Sequence, residues 1–155
     1  MCIRDREYDA KSLKEAIESF REQGKITEET GKMIRVKDFL SFFDTSARKR
    51  MAESARCGKL YKEQPFVLGV PASELYEQKT EEWILVQGII DVYFEEEDGL
   101  VVLDYKTDRV SDEKELVDKY HAQLDYYAKA LEQLTEKKVK EKLIYSFALG
   151  KEIRL

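Results

Sequence analysis

The central part of the chain contains two apolar stretches, WILVQGIIDVYF (residues 83–94) and LVVLDYK (residues 100–106), which decide the fold. Both are rich in β-branched and aromatic residues, and such residues favour strands over helices. An acidic segment separates the two stretches and ends in Asp98-Gly99, a pair that is typical of two-residue hairpin turns. The sequence therefore predicts an antiparallel hairpin over residues 83–106.

The register of this hairpin determines which side chains meet. A two-residue turn at Asp98-Gly99 places Asp91 opposite Lys106. The same register places Tyr93 opposite Asp104. Because side chains alternate along a strand, these four residues, with two carboxylates and one ammonium group, are expected on one face of the hairpin. The other face is predicted to carry Ile90, Val92, Phe94, Val101, Leu103 and Tyr105.

The two aspartates of the hairpin are suited to bind a metal ion. Carboxylates on a largely apolar sheet repel each other and lose hydration, so they are costly unless a cation or proton compensates them. Hard oxygen ligands favour Mg²⁺ or Mn²⁺, and such an ion can activate water for attack on a phosphate. Lys106 could orient that water and stabilise the developing charge. The alternative is an ion pair between Lys106 and Asp91 or Asp104 on a wetter sheet face, and the residues alone leave both interpretations open.

The first third of the chain is predicted to be helical. Apolar residues at helical spacing indicate a helix over residues 11–20, which begins with Ser12 and Glu15 as a capping box. A second helix is predicted to begin near Thr27 and to end before residues 31–36. One or two more helices are expected within residues 36–55. Their core residues would be Phe39, Leu40, Phe42 and Phe43, and Gly58 would end the last one.

The remaining elements complete an α/β pattern. A strand is predicted over residues 59–70, followed by a polar break at residues 71–80. Beyond the hairpin, Ser111 is expected to cap a helix over residues 112–132, and residues 142–149 to form a final strand. This order predicts one mixed central sheet flanked by helices. We divide the chain into a helical segment, residues 1–57, and a core, residues 58–155; residues 1–6 fit no element and have the character of an artefact.

The composition of the chain excludes several classes of protein. A chain of 155 residues with 43% hydrophobic residues can bury one core, and no apolar run approaches the length of a membrane span, so we expect one cytoplasmic domain. The cysteines, Cys2 and Cys57, are too few for an iron–sulfur cluster and are expected to be free thiols. A phosphate-binding Gly-rich loop for ATP is absent from the sequence. The net charge of -5 argues against unaided capture of nucleic acid.

Longer motifs in the second half resemble a known nuclease family. The stretch GIIDVYFEEEDGLVVLDYKTDRV (residues 88–110) is followed by Tyr120, Gln123 and Tyr127 in the spacing Y-x-x-Q-x-x-x-Y, and then by IYSFALG (residues 144–150). These motifs, in this order, resemble the RecB-like branch of the PD-(D/E)XK nuclease superfamily. Within that branch they are most similar to the C-terminal nuclease domains of AddA-type helicase–nucleases. The resemblance covers residues 63–155 and implies a restriction-endonuclease-like fold.

The resemblance also implies roles for particular residues. Asp91 and Asp104 match the metal-binding acids of the family, and Lys106 matches its catalytic lysine. The backbone carbonyl of Tyr105 would be a further ligand, and Glu63 matches a glutamate on the preceding strand.

The helix of the Y-x-x-Q-x-x-x-Y motif is implied to support the site. Gln123 and Tyr127 match a pair that positions the substrate or the active site. Tyr120 lies on the same helical face as both residues, so ordinary packing against the sheet is the alternative interpretation for all three.

The function implied by the resemblance is metal-dependent DNA exonuclease activity during the processing of double-strand ends for recombinational repair. The cofactor would be Mg²⁺, or Mn²⁺ as a substitute. The substrate would be single strands from an unwound duplex, delivered by upstream helicase domains together with an AddB-like partner subunit.

One feature of the family is missing from the sequence. The family has an upstream Gly-x-x-x-His helix that supplies a histidine metal ligand, and nothing before Glu63 matches it. The single histidine, His121, is predicted to lie on the surface, pointing away from Gln123. The chain is therefore expected to be a C-terminal fragment of a longer protein.

Alternatives to this function remain open. They are a catalytically incomplete nuclease fold that serves as a scaffold or DNA-binding module, and a stand-alone nuclease of another PD-(D/E)XK branch. Phe39, Phe42 and Phe43 could face a neighbouring domain, although core packing is the better interpretation.

Overall fold

A computed structural model describes residues 9–33, 35–74 and 80–155, without the side chains of Thr30 and Met33. Its elements, in chain order, are α1 (Ala10–Glu22), α2 (Glu28–Met33), α3 (Val36–Phe43), α4 (Ser46–Arg56), β1 (Leu60–Pro71), a 3₁₀ turn (Ala72–Glu74), β2 (Trp83–Glu96), β3 (Gly99–Lys106), α5 (Glu113–Thr135), β4 (Val139–Ser146) and β5 (Lys151–Arg154). The prediction about residues 1–6 lies outside the described residues. No helix within the described ranges is long and apolar enough to cross a membrane.

The N-terminal helices follow the predicted order with two corrections. Asp9, and not Ser12, caps α1: the Asp9 carboxylate accepts the amide of Ser12, and the Ser12 hydroxyl accepts the amide of Asp9. The capping box therefore lies one turn earlier than predicted, since a better acceptor precedes Ser12. α2 continues through Gly31 to Met33, although the sequence predicted its end before Gly31.

The five strands form one mixed sheet in the order β1-β2-β3-β4-β5. β3 and β4 are parallel and are connected by α5, whereas the other neighbouring pairs are antiparallel. A parallel pair needs such a crossover, which explains why the long helix lies across the sheet. The predicted α/β architecture is confirmed. β5 was not predicted, because a strand of four residues at the chain end carries little periodic signal.

The cap of α5 differs from the prediction. Asp112 is the N-cap residue, and its carboxylate accepts the amide of Glu115. Ser111, the predicted cap, instead donates its amide and its hydroxyl to the Glu115 carboxylate. Both residues therefore stabilise the start of the helix.

The core has one layer on each side of the sheet. The layer beneath α5 contains Tyr93, Leu100, Val102, Leu116, Leu124, Tyr127, Leu131 and Ile144. The layer beneath α4 contains Phe42, Met51, Val92, Phe94, Val101, Leu103, Leu143 and Tyr145. Phe42 packs in the core as predicted, whereas Phe39, Leu40 and Phe43 are half-buried. All three phenylalanines line an adjacent apolar cavity of about 330 Å³.

The hairpin is confirmed, but its turn and register differ from the prediction. Glu96 pairs with Gly99, so the two turn residues are Glu97 and Asp98. A side-chain carbon on Gly99 would lie only 2.8 Å from the carbonyl oxygen of Lys138, so this glycine is required where β3 approaches the start of β4. That tertiary contact moves Gly99 from the turn into the strand.

The corrected register changes the partners but preserves the faces. Tyr93 lies opposite Val102, and not opposite Asp104. The paired ladder ends at Val92 and Leu103, so Asp91 and Asp104 occupy the next position along the two strands. Asp91 therefore faces Asp104 where Lys106 was predicted. Because the register moves by an even step, the side-chain alternation still directs Asp91, Asp104 and Lys106 to one side of the sheet.

The side-chain alternation of β1 and β2 changes phase near Asp91, so that residues before and after this point use opposite odd–even patterns to face α5. Pairing skips Glu63 and Asp91, and Glu63 has a positive φ of 50°. On one side of this irregularity Tyr93 packs in the layer beneath α5, and on the other side Ile90 does so. The prediction that Ile90 shares a face with Val92 is therefore wrong, because strict alternation is broken at Asp91.

Candidate active site

Asp91 lies where the β2–β3 ladder ends. Its Oδ2 accepts the backbone amide of Tyr105 at 3.0 Å. The carboxylate thereby takes the place of the backbone acceptor that a longer ladder would provide. This contact ties the Asp91 side chain to β3, beside Asp104.

Asp104 is an almost fully buried carboxylate, with 2% of its surface exposed. Burial raises its pKa to about 6, and the nearby Asp91 contributes to the rise, while Lys106 opposes it. The Lys106 ammonium lies 2.5 Å from Oδ2. Even so, this buried oxygen accepts no well-directed hydrogen bond from any residue that the structure describes. Asp104 therefore holds a negative charge that its surroundings only partly compensate.

Lys106 is held by residues from both β3 and α5. Its Nζ donates to Oε1 of Gln123 at 2.9 Å and lies 3.8 Å from the centre of the Tyr120 ring. Only 13% of the side chain is exposed. A carboxylate, an amide oxygen and an aromatic face thus fix the ammonium group beside Asp104.

The helical face of Tyr120, Gln123 and Tyr127 contacts Lys106 through Gln123 and Tyr120, and Tyr127 lies near the two aspartates. Gln123 donates from Nε2 to the Tyr127 hydroxyl at 2.8 Å. Burial raises the pKa of Tyr127 to about 12, with Asp104 and Asp91 adding to the effect, so its hydroxyl keeps its proton. The Tyr127 ring also packs edge-on against Phe66. The packing predicted for this residue is therefore observed, and its hydroxyl also contacts Gln123, which binds Lys106.

Two further groups that the resemblance implies for the site are Glu63 and the backbone carbonyl of Tyr105. Glu63 is exposed, at the position on β1 that the register places opposite Asp91. Within the described ranges, no three or more His, Cys, Asp or Glu side chains come together as a metal-binding group. The Tyr105 carbonyl leaves β3 on the same edge as the Tyr105 amide, which is the edge facing Asp91.

Asp108 is a neighbour of the site that the sequence did not identify. Both oxygens of its carboxylate accept the Tyr120 hydroxyl at 2.9 Å, and one accepts Nζ of Lys119 at 2.5 Å. These contacts, with Lys119 first, lower the pKa of Asp108. It could not be found from spacing, because it lies in the loop after β3 and meets α5 only through the fold. His121 is exposed, as predicted.

Comparison with known proteins places this arrangement in a family. A model of the PD-(D/E)XK nuclease superfamily matches residues 3–153. Among curated proteins, an ATP-dependent helicase/nuclease subunit of Lachnoclostridium phytofermentans is 39% identical over 93% of this chain and 13% of its own length. Its counterparts in Thermoanaerobacter sp. and Clostridium botulinum (strain Loch Maree) are 41% and 40% identical, over 94% and 92% of this chain and 12% and 11% of their own lengths.

These findings confirm the resemblance to AddA-type proteins that the motifs predicted. The chain spans about an eighth of the length of these relatives, from 11% to 13%. The similarity covers both the helices and the sheet. The matched region includes Asp91, Asp104 and Lys106. The chain belongs to the PD-(D/E)XK nuclease superfamily.

Proposed function

We propose that this chain is a metal-dependent DNA exonuclease domain. Asp104 carries the proposal: it is almost fully buried near a second carboxylate, Asp91, and its pKa is raised to about 6 even though the Lys106 ammonium lies 2.5 Å from its Oδ2. A buried anion of this kind is costly, and it is expected where a bound cation compensates it. The superfamily to which the chain belongs gives that cation a use in phosphodiester hydrolysis.

A divalent metal ion fits the donor set of the site. Asp91 and Asp104 would hold it, with the backbone carbonyl of Tyr105 as a further ligand. Hard oxygen donors favour Mg²⁺, with Mn²⁺ as a substitute. Such an ion supplies Lewis-acid activation of water and neutralises charge at the scissile phosphate. Glu63, at the exposed rim of the site, is proposed as a supporting residue.

Lys106 would act on the phosphate and on the attacking water. Gln123 and Tyr120 hold its ammonium group in a fixed position. A fixed cation stabilises developing negative charge without reorganising during the reaction. Gln123, Tyr120 and Tyr127 are therefore proposed to position Lys106.

The proposed substrate is single-stranded DNA from an unwound duplex, during the processing of double-strand ends for recombinational repair. The names of the relatives join a helicase to a nuclease, and the chain covers only 11–13% of their lengths. The proposed partners are therefore upstream helicase domains and an AddB-like subunit, and the proposed location is the cytoplasm. The net charge of -5 supports delivery of the strand by such a partner, since an acidic domain attracts DNA weakly.

The domain boundaries are part of the same proposal. Residues 58–155 would form the nuclease core, and residues 1–57 a helical segment before it. In the structure α1–α4 precede the sheet, and α4 packs directly on it.

The test is cleavage of end-labelled linear single strands by this chain with Mg²⁺ or Mn²⁺, beside circular strands of the same sequence. We expect metal-dependent cleavage of the linear strand alone, and its loss in Asp104→Ala. Cleavage of the circle would exclude an exonuclease, and cleavage that survives Asp104→Ala would exclude this site. If only a longer chain extended upstream cuts, a ligand from that region completes the site. If neither cuts nor binds metal, the scaffold alternative is correct.

A further inference from the structure

A row of three cross-strand positions runs along β1 and β2, away from the two aspartates. Glu63 and Asp91 occupy the first position by register. Tyr61 and Tyr93 pair at the second, and at the third the amide of Glu95 donates to the carbonyl of Lys59 at 3.0 Å. Alternate residues of a strand lie about 7 Å apart on one face, so the three positions form a track of roughly 13 Å.

The middle position of this track is an aromatic stack with one side open. The rings of Tyr61 and Tyr93 are nearly parallel, with an angle of 11° and a centroid distance of 4.6 Å. Tyr93 is 5% exposed and packs in the layer beneath α5, whereas Tyr61 is 38% exposed. A buried ring thus fixes the orientation of an exposed ring on β1, the edge strand of the sheet.

The far end of the track carries two lysines that share one glutamate. Glu95 Oε1 lies 2.7 Å from Nζ of Lys137 and 3.5 Å from Nζ of Lys59. Both lysines are about half exposed, at 50% and 46%, while the glutamate is 18% exposed. One carboxylate therefore holds two lysines in place, and the group keeps a net positive charge in a chain that is acidic as a whole.

We propose that Tyr61, backed by Tyr93, is a base-stacking subsite for single-stranded DNA, and that Lys59 and Lys137 bind the next part of its backbone. The inference rests on the proposed function, and it adds the path of the strand and the way it is held. Stacking on an aromatic ring is tolerant of sequence, because every base has a flat face. Such a contact suits an enzyme that must accept any sequence. The nucleoside beside the scissile phosphate would lie on Tyr61, one position from Asp91.

The experiment distinguishes the contribution of the bases to binding from that of the phosphates. The equilibrium dissociation constant is measured by fluorescence anisotropy for two short labelled strands, one of thymidines and one of abasic nucleotides, with Ca²⁺ in place of Mg²⁺. The ratio of the two constants reports the contribution of the bases. We expect Tyr61→Ala to weaken binding of the thymidine strand roughly fivefold to tenfold and to leave the abasic strand unchanged. Tyr61→Phe should keep the wild-type ratio, because it keeps the ring.

Two controls sharpen the result. Trp83→Ala removes an aromatic side chain that is 69% exposed on the other face of the β1–β2 ribbon, and it should leave both constants unchanged. The double substitution Lys59→Gln with Lys137→Gln should weaken both strands equally, because phosphates are present in both. The proposal is overturned if the ratio is the same for the wild type and Tyr61→Ala, or if the wild-type chain binds neither strand.

The failure of this inference can be told apart from failure of the nuclease function. The same thymidine strand is incubated with Mg²⁺ and the wild-type chain or Asp104→Ala. If the wild-type chain shows metal-dependent cleavage but Tyr61→Ala has the wild-type ratio of dissociation constants, the subsite is excluded and the nuclease function is supported. A changed ratio, with no cleavage by this chain or by a longer chain extended upstream, would support the subsite and exclude the nuclease.

Discussion

Two clusters of paired charges lie on opposite faces of the sheet, and they differ in how fully their hydrogen bonds are made. On the α4 face, Arg50 donates from Nε and Nη2 to Glu96, at 2.8 and 2.9 Å, and from Nη2 to Glu141 at 2.7 Å. These bonds lower the pKa of Glu96 to about 2 and raise the pKa of Arg50. On the α5 face, Asp104 has a raised pKa of about 6 and an oxygen without a well-directed hydrogen bond from the described residues.

The two clusters differ in how closely cations and carboxylates balance within the fold. The guanidinium of Arg50 bridges Glu96 and Glu141, and Lys140 adds a second cation 2.6 Å from Glu96. Two cations therefore offset two carboxylates and stabilise the packing of α4 on the sheet. A single ammonium beside two carboxylates leaves negative charge in excess at Asp104 and Asp91. The first cluster is expected to contribute to stability, and the second is the proposed metal site. The same substitution, acid to amide, should therefore have opposite effects in the two places.

Asp104→Asn is expected to have the largest effect on activity. Cleavage should fall at least about 100-fold, because the proposed metal ion would lose a charged ligand. Stability should change in the other direction: in metal-free buffer at pH 8, the free energy of unfolding should rise by on the order of 1–2 kcal/mol. The folded pKa of about 6 exceeds the ordinary 3.8, so the charged form destabilises the fold above pH 6. The gain should fade as the pH falls from 6 to below 3.8.

Glu96→Gln is the matched control for this substitution. It should leave cleavage unchanged and should lower the free energy of unfolding at pH 8. Urea denaturation followed by circular dichroism at pH 8 and pH 4 measures both variants. Equal destabilisation by the two substitutions would show that Asp104 is as well compensated as Glu96, contrary to the difference between the two clusters.

The sequence predicted one of these two clusters better than the other. Asp91, Asp104 and Lys106 could be found because strand alternation and a family motif both point to them. The Arg50 cluster could not, since it joins α4, the hairpin and β4 through the tertiary fold. The hairpin turn was misplaced for a similar reason, because Gly99 begins β3 with a positive φ of 148° and approaches Lys138 across the fold, instead of lying within the turn. Local periodicity predicts elements and faces, whereas contacts between distant segments determine registers and charge networks.

Arg50→Gln tests the stabilising cluster directly. We expect a loss of about 1–3 kcal/mol in the free energy of unfolding at pH 7, because Glu96 and Glu141 would remain partly buried without their main partner. The pKa of Glu96 lies below its ordinary 4.5, at about 2, so its contribution is present above pH 4.5 and is lost as the pH falls through 2. The difference between wild type and variant should shrink over that range.

The control for Arg50→Gln is Arg56→Gln, which removes an arginine that pairs with Glu53 while both side chains are more than 70% exposed. Exposed pairs contribute little, so its effect should stay below about 0.5 kcal/mol. Similar losses for the two variants would mean that the Arg50 cluster is an ordinary surface pair.

Asp108→Asn should have the smallest effect, because Asp108 is joined to the proposed site through its hydrogen bond with Tyr120. Its carboxylate anchors the Tyr120 hydroxyl, and the Tyr120 ring lies against the Lys106 ammonium. A looser ring weakens that contact, so kcat for cleavage should fall about twofold to fivefold with KM unchanged. Tyr120→Leu, which removes the ring, should lower kcat at least as much as Asp108→Asn, and Tyr120→Phe should lower it less. If Tyr120→Phe is the most damaging of the three, the hydroxyl acts on the reaction itself and the ring does not position Lys106.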